Sequence, residues 1–123
     1  MTIKMFLKRY SQISYIVLFI GCVIVVSWGI FISTPPQAAF HQSDKILHVL
    51  AFALLAFTGR GAMQMLSPFL FWPVIAAIAM LMEYLQGALQ ATRISSLEDA
   101  LANLVGVGLA FLAVKAINKK RVS

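Results

Sequence analysis

The stretch ISYIVLFIGCVIVVSWGIFI, Ile13 to Ile32, holds 20 residues without a charge. As an α-helix it rises about 30 Å, one hydrocarbon thickness of a bilayer. Lys4, Lys8 and Arg9 precede it. It is longer than a signal-peptide core of about 7–15 residues, and no small-residue cleavage site follows it. It therefore reads as a retained anchor, stopped at Pro35-Pro36.

The rest of the chain repeats this character. Of 123 residues, 61% are hydrophobic and 11% charged, where a soluble domain is nearer 45–50% apolar and about 25% charged. Mean hydropathy is +0.89. This composition excludes a disordered chain, an ordinary soluble enzyme and a disulfide-stapled domain. The one cysteine, Cys22, has no intrachain partner.

Three further apolar runs follow. Ile46 to Gly59 extends to Ser43 and Ala62 if Lys45 and Arg60 snorkel, and Gly59-Arg60-Gly61 reads as the turn after it. The next begins at Ser67-Pro68, an N-cap with proline at the first helical position, and continues to about Leu89, with Pro73 as a kink or a late start. The last runs from Ala100 to Ile117, behind Ser95 and Glu98 at capping-box spacing. The expectation is an all-α integral membrane bundle of four transmembrane helices. Residues 13–117 form the membrane domain, flanked by basic segments 1–12 and 118–123.

Charge orients the bundle. Four spans put both termini on one side, with Lys4, Lys8, Arg9, Arg60, Lys115, Lys119, Lys120 and Arg121. The other side carries only Lys45 and Arg93. This asymmetry predicts both termini in the cytoplasm and a multi-pass protein of the cell (inner) membrane. The net charge of +6 is then a topology signal, and nucleic-acid binding has no other support.

All four acids fall in the outward half. Asp44, Lys45 and His48 open the second span, with Asp44 and His48 four residues apart on one face. Glu83 and Gln86 lie near the outward end of the third. Arg93, Ser95 and Ser96 fill the loop, and Asp99 and Asn103 open the fourth. The cytoplasmic half shows no comparable set. Ionisable groups at membrane depth are costly and face a bundle interior or a wet cavity, paired. Glu83, preceded by Ile78-Ala79-Met80-Leu81-Met82, has the least structural excuse. Glu98 has one as a cap, Asp99 at a helix start, Asn103 as interhelical glue and Lys45 as a snorkelling anchor. Ala102, Gly106 and Ala110 form a small-residue stripe for close packing, and Ala76, Met80, Glu83 and Gly87 share one face of the third span.

In order, Ser43-Asp44-Lys45-Ile46-Leu47-His48 with Ala51-Phe52, Glu83-Tyr84-Leu85-Gln86, Arg93 with Ser95-Ser96, and Asp99 with Asn103 and Gly106 resemble the VanZ-like membrane protein family. The resemblance covers about half the chain, from Ser43 to Gly108. It implies a small bacterial cell-envelope protein. The family is named for a member associated with teicoplanin resistance and has no defined reaction.

Two functional readings follow. In the first, the outward layer binds a membrane lipid or a polyprenyl-linked envelope precursor. Lys45 and Arg93 hold a phosphate. His48 and Glu83 act as base and acid if chemistry follows, with Asp44, Gln86, Asp99 and Asn103 contacting the headgroup. In the second, the layer is interhelical glue in a scaffold or modulator of an envelope complex. His48, Glu83 and Asp99 are ligand types for zinc or manganese, but one histidine in the layer and no cysteine there leave metal and cofactors out of the expected reading. So small a bundle leaves homo-oligomerisation open.

Overall fold

A computed structural model of the chain describes residues 2–31, 41–89 and 97–122. They form four helices: α1 (Ile3–Phe31), α2 (His41–Ala62), α3 (Pro68–Leu89) and α4 (Leu97–Val122). All four are long and apolar enough to cross a membrane, and no strand occurs among the described residues. The chain is an all-α transmembrane bundle. The basic flanks are helical where described, because α1 starts at Ile3 and α4 runs to Val122. Pro35-Pro36 lies outside the described residues.

Neighbours in space are not always neighbours in sequence. α2 and α4 run parallel and form the most extensive pair, α1 packs on α2, and α3 packs on α4. Up-down-up-down threading makes α2 and α4 parallel and puts both termini at one end of the bundle. The close α2–α4 contact follows from small residues. A Cβ on Gly106 would meet the Val49 carbonyl oxygen at 2.4 Å and the Ala53 nitrogen at 2.9 Å. Glycine there lets two backbones touch, as membrane helices require when lipid offers no hydrophobic drive for their association. Ala102 and Ala110 are buried beside it, so the small-residue stripe is the seam.

The core is thin: Phe52, Leu55 and Ala56 of α2, Phe71, Ile75 and Ala79 of α3, Val107 and Ala110 of α4. Large apolar side chains such as Val17, Ile24, Trp28, Leu54, Phe69 and Leu112 point outward, as they do in a lipid solvent. The buried face of α3 is Phe71–Ile75–Ala79–Glu83, spaced by one turn each. The expected face through Ala76 and Met80 is rotated by one position, and Met80 is exposed. Glu83 belongs to both stripes, so it is buried either way.

Two local expectations meet different fates. Ser67 caps α3, its Oγ accepting from the Phe69 N–H at 3.3 Å, and Pro68 is the first helical residue. α3 continues through Pro73 to Leu89. Gly59-Arg60-Gly61, by contrast, is not a turn. α2 continues through it to Ala62, and the turn comes at 63–66. The glycines answer to α1: a Cβ on Gly61 would lie 2.4 Å from the Tyr15 ring, and one on Gly59 3.0 Å from the Phe19 ring. Arg60 then closes the helix end, donating from Nη1 to the carbonyls of Met63 at 3.3 Å and Leu66 at 2.8 Å.

Gly106→Ala should lower stability by about 1–3 kcal/mol, because the obstruction is backbone. Gly108→Ala meets nothing within 4 Å and should be neutral or mildly stabilising. Melting curves of the two variants in detergent check this pair; equal Tm values would contradict the seam.

Candidate functional site

Parallel α2 and α4 bring their N-terminal turns side by side, and antiparallel α3 sets its C-terminal turns against them. Lys45 and His48 therefore meet Glu98, Asp99 and Asn103 at the level of Ala79 and Glu83. At the rim, Lys45 Nζ donates to Glu98 Oε2 in an ion pair, with both side chains substantially exposed. Such a pair is worth little in water. It does determine where the lysine charge points.

Inward of that pair sits Asn103, with 0% of its surface exposed. Its Nδ2 donates to the Ala79 carbonyl at 3.0 Å, and its Oδ1 lies 2.7 Å from His48 Nδ1. The carbonyl partner is decisive. A carbonyl only accepts, so the amide must present its NH2 to Ala79 and its oxygen to His48. His48 therefore carries a proton on Nδ1, and in the neutral ring Nε2 is the lone-pair nitrogen. One amide thereby ties α2, α3 and α4 together and sets the histidine tautomer. A buried polar group that loses such a partner costs about 1–3 kcal/mol.

A ring nitrogen of His48, a carboxylate oxygen of Glu83 and one of Asp99 lie within 4.8 Å of one another. Glu83 is 5% exposed, while His48 and Asp99 are half-buried. A base, a buried acid and a second carboxylate from three helices thus converge on one point. This set can hold hydroxyls, move a proton or ligate a cation.

Of the residues expected at the site, Lys45, His48, Glu83, Asp99 and Asn103 are brought together. The side chains of Asp44 and Gln86 lie outside the described residues, as do Arg93, Ser95 and Ser96 entirely. Glu98 pairs with Lys45 from the first turn of α4, and its expected capping box with Ser95 falls outside the described residues. The Ala79 carbonyl was not foreseen, because a backbone oxygen leaves no trace in residue types.

The opposite end is less bare than expected. A cavity of about 540 Å³ opens there between α1, α2 and α4, lined among others by Lys8, Ser11, Tyr15, Arg60, Gln64 and Asn118. Among the described residues, no carboxylate or imidazole lines it. Its residues are spread over three helix ends and only the fold assembles them, so no local motif announced it.

Comparison with protein families, curated proteins and solved structures returns no match to this chain.

Nitrogen-15 NMR of His48 should find Nδ1 protonated in the wild type, and Asn103→Ala should release that preference. A neutral ring protonated only at Nε2 in the wild type would contradict the amide orientation.

Proposed function

We propose that this chain is a VanZ-like protein of the bacterial inner membrane, with both termini in the cytoplasm, whose outward polar layer binds the headgroup of a lipid or a polyprenyl-linked envelope precursor. The observation that carries the reading is the convergence of His48, Glu83 and Asp99 on one point beside a buried amide. Ionisable groups at this depth are expensive to keep, and purely structural glue has cheaper solutions in Ser, Thr or Asn.

The reading gives each residue a role. Lys45, at the rim beside Glu98, is the residue proposed to meet phosphate, with Arg93 as the second cation that the sequence offers for it. His48 Nε2 takes a proton from a headgroup hydroxyl or from water. Glu83, deepest and driest, returns one to a leaving oxygen, and Asp99 orients the reacting hydroxyl. Hydrolysis or transfer at the headgroup is the reaction class this set fits. The orientation rests on the charge asymmetry between the two ends.

The competing reading, a scaffold with a polar clamp, draws support from one contact. Asn103 joins α2, α3 and α4 and is glue by any account. It does not explain Glu83.

Native mass spectrometry of the detergent-purified protein should show a discrete bound lipid. Folded His48→Ala and Glu83→Gln should lose it by tenfold or more, about 1.4 kcal/mol of binding. Retention by both variants would overturn the headgroup reading. Reporter fusions at Gln37 and Thr92 should behave as periplasmic, and cytoplasmic behaviour at either would overturn the orientation.

A further inference from the structure

The outward layer has a charge problem. In sequence, the segments at this end carry four acids, Asp44, Glu83, Glu98 and Asp99, against two fixed cations, Lys45 and Arg93, a difference of two charges. The lysine is directed to Glu98. Two carboxylates within 4.8 Å of each other favour a cation between them in a medium of low dielectric. One divalent cation removes the whole deficit.

The geometry supplies its ligands. One imidazole nitrogen and two carboxylate oxygens, one group from each of α2, α3 and α4, lie within 4.8 Å of one another. Ligands at about 2.0–2.2 Å from one ion stand at most about 4.4 Å apart, so closure needs only rotamer-scale movement. A ligating histidine ordinarily donates its other ring N–H to a second acceptor, which fixes the ring. Here Nδ1–H donates to Asn103 Oδ1, and Asn103 is itself held by the Ala79 carbonyl. With Nδ1 so engaged, Nε2 is the nitrogen left to ligate an ion.

We infer that His48, Glu83 and Asp99 form a site for one divalent transition ion. One nitrogen and two oxygens select the zinc and manganese class over calcium or magnesium, which prefer all-oxygen sites. Neutral imidazole and two carboxylates make the ion complex neutral, the form that costs least at membrane depth. Three protein ligands leave further positions for water or a phosphate oxygen. The ion then turns an acidic layer into one that receives an anion. This last step alone rests on the headgroup reading; the ion site does not, and with the ion bound His48 and Glu83 serve as ligands in place of the proton-transfer roles given above.

The test uses the full chain in detergent, stripped with chelator and reloaded with ZnCl2 or MnCl2. Elemental analysis should find about one ion per chain, and the melting temperature should rise on loading. His48→Ala and Asp99→Asn should lower the bound ion at least tenfold, while Gly108→Ala retains it. Because either variant could fold poorly, the Mn2+ protein should also show nitrogen coupling in its electron paramagnetic resonance, lost in His48→Gln. Less than about a tenth of an ion per wild-type chain would overturn the inference, as would equal binding in wild type and variants. A wild-type chain that takes up no ion on reloading yet keeps its lipid overturns the ion site and leaves the headgroup reading standing. Ion bound without lipid supports the ion site and removes the headgroup reading.

Discussion

A buried amide with two unlike ends organises this bundle. Asn103 must offer its NH2 to an acceptor and its oxygen to a donor, both inside a protein where water is scarce. The Ala79 carbonyl and His48 Nδ1 meet that demand. Because the two partners belong to α3 and α2, the amide fixes the relative depth of three helices. Slide α4 by one turn and both hydrogen bonds break. The Lys45–Glu98 pair and the Glu83–Asp99 approach follow from the same register.

Close backbone contact makes that register possible. Gly106 lies one turn below Asn103 and lets α4 touch α2 at Val49 and Ala53. Without that approach the amide would not reach His48. In lipid such packing has to supply what the hydrophobic effect supplies in water. The seam and the polar layer are thus one construction: small residues bring the helices together, and Asn103 sets their height. Glu83 and Asp99 then stand close enough to act together, at a place where each alone would be a burden.

Much of this was legible in the residues. Span length and hydropathy are local properties, so four helices were readable, and Ser67-Pro68 marked the start of α3 because cap chemistry is local too. His48, Glu83, Asp99 and Asn103 stood out because charge and amide are rare at that depth. What failed was non-local. Gly59 and Gly61 looked like turn residues, but the rings of Phe19 and Tyr15, some forty residues away in sequence, are what require them. The buried face of α3 runs through Ile75 and Ala79, one residue from the Ala76 and Met80 of the sequence pattern, because adjacent apolar residues are indistinguishable without the partner helix. The Lys45–Glu98 pair joins residues 53 apart in sequence, so no local pattern announces it. The cavity at the terminal end needs three helix ends at once.

The central claim is that Glu83 is kept for binding and not for holding helices together. The melting temperature of Glu83→Gln, which keeps shape and removes charge, tests it most directly. A carboxylate retained at the expense of stability predicts a protein as stable as wild type or more so. A loss of about 2 kcal/mol or more would contradict the account and make Glu83 part of the clamp.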